Sequence, residues 1–179
     1  MSQKDKLLVH IDALYRQALY LVKNENNAED LVQETYLKAF RFLQDDKGVI
    51  NEKAWLFRIL INTFINQYRK GKKEPTLVDF DSIESFHELI EEEVLTSTIE
   101  DAAKFDELLD SDVKRALEEL PDDFRMVILL STVEGFSYKE ISQMLGCPIG
   151  TVMSRIYRGR RLLKEKLANY AEKRGFKEE

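Results

Sequence analysis

An all-α fold made of two small helical domains on an acidic tether is what this sequence predicts, and three observations predict it. Breakers are scarce, with 3 Pro and 7 Gly in 179 residues, which favours long helices over many short strands. Apolar residues recur at three-and-four spacing at both ends of the chain. Charge is segregated: residues 74–112 hold 14 acidic side chains and one basic one, whereas residues 1–73 hold 13 basic and 9 acidic and residues 113–179 hold 13 basic and 10 acidic. The net charge of −6 therefore conceals two mildly basic ends, the kind of pattern that matters for nucleic acid.

The elements follow in order. Leu7, Leu8, Ile11, Leu14, Tyr15, Ala18 and Val22 form one apolar face of a first helix over Lys6–Lys23. Asn24–Asn27 breaks it. Asn27 is expected to cap a second helix to Leu43, with Glu29 and Asp30 at its positive end. After the loop residues Asp45–Gly48, a third helix spans Asn51–Arg69 around Trp55, Leu56, Ile59, Leu60 and Phe64. Residues 1–73 make the first domain. Residues 74–110, with at most short helices near Phe86–Leu95 or Ile99–Leu109, read as a flexible linker because like charge opposes compaction. Residues 111–179 make the second domain, with one helix from Ser111 or Asp112 to Leu120 and another from Pro121 to Val133.

The segment Ser137–Leu163 carries the strongest pattern. Ser137 and Glu140 are spaced for a capping box on a short helix, Tyr138–Leu145. Gly146 stands where a tight turn needs a left-handed backbone, and Pro148 opens the next helix. Small Ser142 is expected at the crossing of the two helices, and Val152 points back to the core. This is the helix-turn-helix pattern. On a helical wheel Val152, Ile156, Gly159 and Leu163 share a face. Gly150, Ser154, Tyr157, Arg158 and Arg161 lie opposite, with Arg155 and Arg160 on the flanks, so these seven are the candidate DNA contacts.

Several functions are excluded or disfavoured. No stretch approaches the ~18 consecutive apolar residues of a membrane span, and the polar start is not a signal peptide, so a cytoplasmic protein is expected. Cys147 is the only cysteine, a small turn residue with no disulfide partner and no metal spacing. His10 and His87 have no matched partner. No cofactor, metal or catalytic residue is expected; the chain reads as a non-enzyme.

Residues 120–167, from Leu-Pro-Asp-Asp-Phe-Arg to Arg-Ile-Tyr-Arg-Gly-Arg and beyond, resemble region 4 of the sigma-70 family in its extracytoplasmic-function (ECF) class. That resemblance implies that the second helix of the helix-turn-helix reads the −35 promoter element, with Gly150, Ser154, Tyr157 and Arg158 towards DNA. Residues 7–73 resemble region 2 of the same class. The run Ala28–Phe40 is similar to its polymerase-docking helix, and Asp30, Gln33, Glu34 and Leu37 share a face that, by the resemblance, meets a coiled coil of a large polymerase subunit. The helix Trp55–Arg69 resembles the −10-reading helix. Arg58, Asn62, Asn66, Arg69 and Lys70 form its polar stripe. The Asp45–Asn51 loop and Asn62 are implied to hold a base flipped out of the non-template strand, with Trp55 and Phe57 as stacking candidates. Residues Leu162–Phe176 resemble the branch tied to thiol-oxidative stress, which implies a redox-sensing anti-sigma partner. The implied partners are thus core RNA polymerase, promoter DNA and an anti-sigma factor, with no homo-oligomer. The competing reading is a stand-alone helix-turn-helix regulator.

Overall fold

The computed structural model describes residues 2–43, 49, 51–68, 111–173 and 175. The expected linker 74–110, Arg69, Lys70 and most of the Asp45–Asn51 loop lie outside the described residues. Among those described, every regular element is a helix, as the composition and periodicity predict.

The first unit holds α1 (Gln3–Leu8), α2 (Ile11–Val22), α3 (Glu25–Leu43) and α4 (Glu52–Tyr68). The single helix expected over Lys6–Lys23 is two helices. Ser2 and Asp5 form a capping box that starts α1 early, and the chain breaks at Val9–His10. The break carries Leu7 to full burial while Leu8 and Val9 stay exposed. It also presents the Leu7 carbonyl to the Tyr36 hydroxyl, which donates to it at 2.8 Å. Asn24, not Asn27, caps α3: the Asn27 N–H donates to Asn24 Oδ1 at 3.0 Å. Asn51 caps α4 in the same way through the Ala54 N–H. α2, α3 and α4 pack on one another around Leu14, Ala18, Leu31, Leu56 and Leu60, all fully buried.

The second unit holds α5 (Ser111–Glu118), α6 (Asp122–Ile128), a π-helical turn (Leu129–Val133), α7 (Tyr138–Leu145) and α8 (Ile149–Lys173). The helix expected to run on to Val133 widens after Ile128, and the Glu134 N–H reaches back five residues to the Leu129 carbonyl at 3.1 Å. α8 packs on α5, α6 and α7. Arg125 joins α5 to α6. Its guanidinium is fully buried and donates to the carbonyls of Glu118 and Leu120, at 3.1 and 2.5 Å, and to Asp122 Oδ1. It thereby satisfies carbonyls that the end of α5 leaves without helical partners.

The two units are not separate bodies. One continuous apolar core contains Leu56, Phe57, Leu60 and Ile61 of the first together with Met126, Val127, Leu130, Phe136 and Ile141 of the second. Tyr20 of α2 sits in a smaller cluster with Leu117, Leu120, Ile128, Leu129 and Val133. Each unit thereby covers an apolar face of the other.

Candidate nucleic-acid and polymerase interface

The helix-turn-helix is built as its sequence dictates. The Ser137 hydroxyl accepts from the Glu140 N–H at 3.1 Å, and Glu140 Oε2 accepts from the Ser137 N–H at 2.8 Å. Gly146 takes the left-handed conformation at φ 63°, closing α7. The Ser142 hydroxyl donates to the Cys147 carbonyl at 2.8 Å, which fixes the turn before Pro148. Gly159 is where α8 crosses α6: a Cβ there would meet Ile128 Cδ1 at 2.6 Å and Phe124 Cβ at 3.1 Å. Burial pushes the Cys147 thiol pKa up, against the opposing pull of Arg155.

Of the seven candidate contacts on α8, Arg161 is exposed, and Gly150, Arg155, Tyr157, Arg158 and Arg160 are half-buried. Ser154 departs from the expectation, being only 7% exposed. The wheel assumes one covered face, whereas the start of α8 packs on both α6 and α7. Two neighbours at different azimuths bury a wider arc, which takes in Thr151 and Ser154. Arg161 pairs with Glu165 at 3.5 Å, an exposed contact of little energetic weight.

On α4, Arg58, Asn62 and Asn66 are spaced four apart and exposed, as one outward stripe requires. Beside them lies a cleft of about 270 Å³ lined by Lys38, Phe42, Trp55, Ile59, Asn62 and Asn66, with Thr63 at its wall. Trp55 packs against Phe42 with ring centroids 5.4 Å apart and so forms an aromatic edge of this cleft. Lys38 donates to Thr63 Oγ1 at 3.0 Å, bringing a cation to the same wall. Phe57, a stacking candidate from sequence, is instead fully buried, its ring edge-on to Phe136 at 5.2 Å. It belongs to the core between the units. Arg69 and Lys70 lie outside the described residues.

On α3, Asp30, Gln33 and Leu37 are exposed and Glu34 is half-buried. Leu37 at 52% exposure is a large apolar side chain facing outward, flanked by acids. An apolar centre with a charged rim is the composition of a protein-docking patch. Glu34 lies 3.6 Å from Lys38, so the docking candidate and the cleft are neighbours along one helix.

Sequence reasoning missed the residues that hold these surfaces in place. Arg125, buried under α5 and α6, reads in the sequence as one more surface cation. Glu134 reads as a helix end, yet its side chain is 1% exposed and bound by Arg16 and Lys53, each at 3.1 Å. No local signal could have found the partners of Glu134, which lie 118 and 81 residues away in the chain. Among the described residues no group of His, Cys, Asp or Glu is arranged to hold a metal, and no helix is long and apolar enough to cross a membrane.

Two family descriptions match the chain in order: sigma-70 region 2 over residues 8–74 and sigma-70 region 4 over residues 111–163. The chain is 36% identical over 165 residues to the ECF RNA polymerase sigma factor SigE of Mycolicibacterium smegmatis, covering 90% of this chain and 60% of that longer protein. It is 37% identical over 140 residues to the ECF RNA polymerase sigma-E factor of Escherichia coli K12, covering 77% of this chain and 72% of that one. Among solved structures it is similar to the sigma factor RpoE of Bartonella quintana in complex with the anti-sigma factor NepR. The TM-score is 0.65 at 36% identity, over 92% of this chain and 95% of that one. It is also similar to CnrH in complex with the cytosolic domain of CnrY, with a TM-score of 0.57 at 26% identity, over 91% and 85%.

Proposed function

The chain belongs to the ECF class of the sigma-70 family, and from that premise we propose that it binds core RNA polymerase and directs it to start transcription at specific promoters. The observation that carries the proposal is the pairing of the two matched blocks, 8–74 and 111–163, in one chain. A stand-alone helix-turn-helix regulator needs only the second.

In this reading Asp30, Gln33, Glu34 and Leu37 dock on a large subunit of the polymerase. Arg58, Asn62 and Asn66, continued by Arg69 and Lys70, run along the −10 element. Cations there neutralise phosphates and amides meet exposed base edges. Unstacking a base costs a few kcal/mol, and the aromatic and amide-lined cleft beside Asn62 supplies contacts that offset it. On α8, Gly150 admits close backbone approach, Tyr157 and Arg158 face the −35 element, and Arg155, Arg160 and Arg161 serve its phosphates. Ser154 contributes only if the start of α8 loosens from its neighbours. The polymerase supplies the chemistry; this chain supplies address and melting. The same reading makes it a cytoplasmic protein under the control of an anti-sigma factor, as the two similar solved structures are of sigma factors held by such partners.

The test is a mobility shift on promoter duplex with and without core polymerase. Modestly basic modules bind weakly and with strong salt dependence when alone, so the sigma reading expects a specific complex only with polymerase present. Tight, specific binding by the chain alone, as a dimer, would support the regulator instead.

A further inference from the structure

The contact between the two units has the build of a releasable latch. We propose that Glu134 pins the second unit to the first, and that this closed form must open before one molecule can engage both promoter elements. The inference rests on the function proposed above.

Glu134 follows the π-helical turn of the second unit, and its carboxylate enters the first. Its Oε1 accepts from the Arg16 guanidinium of α2 at 3.1 Å. Its Oε2 lies 3.1 Å from Lys53 Nζ of α4, and the same ammonium donates to the Glu134 backbone carbonyl at 3.0 Å. Lys53 also lies over the rings of Phe57 and Phe136, 5.9 and 5.3 Å from their centroids. Two segments distant in sequence thus converge on one acid. Around it the apolar contact continues through Phe57 against Phe136 and through Tyr20 against Leu129 and Val133.

Closure covers neither working surface of the first unit. Asp30, Gln33, Leu37, Arg58, Asn62 and Asn66 all remain exposed. What closure forbids is reach. The two promoter elements are centred about 25 base pairs apart by their names, or ~85 Å at ~3.4 Å per step. A compact body of this many residues is only roughly 40 Å across. The ~40 residues between α4 and α5 could extend to about 140 Å, so the covalent tether permits the separation that the latch prevents. Docking on polymerase and contact with −10 can precede opening; contact with −35 must follow it.

The latch is also built to let go. Arg16 Nε is buried without a hydrogen-bond partner, and Glu134 Oε2 has the Lys53 ion pair but no hydrogen bond of good geometry. Buried ion pairs give back in desolvation much of what they gain in attraction, and atoms left unsatisfied raise the energy of the closed form further. Opening returns these atoms to water. Apolar contact supplies affinity, while the charges fix the register and weaken the hold.

The experiment is small-angle X-ray scattering of the full chain without polymerase, for the unmodified protein, Glu134→Lys, Lys53→Glu and the double exchange Lys53→Glu/Glu134→Lys. Circular dichroism checks that helix content is kept. The unmodified chain should show the radius of a compact particle, ~16 Å. Either single change places like charges together and should enlarge that radius; the exchange re-forms the 53–134 pair but leaves Arg16 facing a cation, so it should bring the radius part of the way back. In runoff transcription at limiting factor, the single variants should form promoter complexes several-fold faster, because the competent fraction rises. An extended unmodified chain, or single variants that keep full helix content and a compact radius, would overturn the latch. Two single variants on opposite units guard against one failing to fold. The scattering result does not depend on polymerase, so failure to transcribe would instead count against the proposed function.

Discussion

Replacing Arg125 by Met should cost the second unit about 3 kcal/mol. The guanidinium donates to two backbone carbonyls, Glu118 and Leu120, and to the Asp122 carboxylate. Met fills similar volume but donates nothing. Each buried carbonyl left without a donor costs ~1–3 kcal/mol, giving ~2–6 for the pair. Removing a fully buried cation returns part of that, since its desolvation is no longer required; Asp122, partly exposed, turns to solvent. The difference settles near 3 kcal/mol. For a chain of this size each kcal/mol moves Tm by ~2–4 °C, so a drop of roughly 6–12 °C is expected. Calorimetry together with urea unfolding followed by circular dichroism reads it. Arg125→Lys keeps one cation but not the fork and should fall between. A Tm within 1–2 °C of the unmodified protein would refute the reasoning, since it would mean that the carbonyls find other donors or were never desolvated.

Three further outcomes follow from other residues. Burial, and secondarily Asp12, pushes the Tyr36 hydroxyl up to about 12; an acid with a raised folded pKa loses stability as pH rises from ~10 towards 12, by up to ~2–3 kcal/mol. Urea midpoints at pH 9 and 11.5 should therefore fall less in Tyr36→Phe than in the unmodified chain. Gly159→Val forces branched atoms against Ile128 and Phe124; overpacking of ~1–3 kcal/mol outweighs relief of the ~1 kcal/mol glycine helix penalty, and the unfolding midpoint should drop. Arg158→Ala should reduce runoff transcription from −35-dependent promoters by about 5-fold to 150-fold, the span of ~1–3 kcal/mol for a specific base contact.

Legibility followed the distance between interacting residues. The Ser137–Glu140 capping box, the Gly146 turn and the outward stripe Arg58, Asn62, Asn66 depend on neighbours three to four residues away, and the sequence displayed them. Asn24 and Asn27 are both competent caps three apart, so composition alone could not choose between them. The break after Leu8 was hidden because Leu8 and Ile11 continue the apolar period; what fixes it is the Tyr36 hydroxyl on the Leu7 carbonyl, a contact across 29 residues. Phe57 read as a stacking candidate because its partner, Phe136, lies in the other unit. Ser154 read as outward because a wheel cannot show that two helices cover α8. Glu134 was opaque for the same reason: a buried acid is recognised by its cations, and Arg16 is 118 residues away.

Transfer of promoter choice to polymerase is the central property of a sigma factor. Core polymerase reconstituted with this chain, supplied with fragments spanning a bacterial genome, should yield runoff transcripts whose start sites share one −35 and one −10 sequence at fixed spacing. Arg158→Ala should reduce that set and Asp30→Lys/Leu37→Asp should abolish it. Transcripts with no shared upstream elements, or a set unchanged from core polymerase alone, would contradict the proposed function.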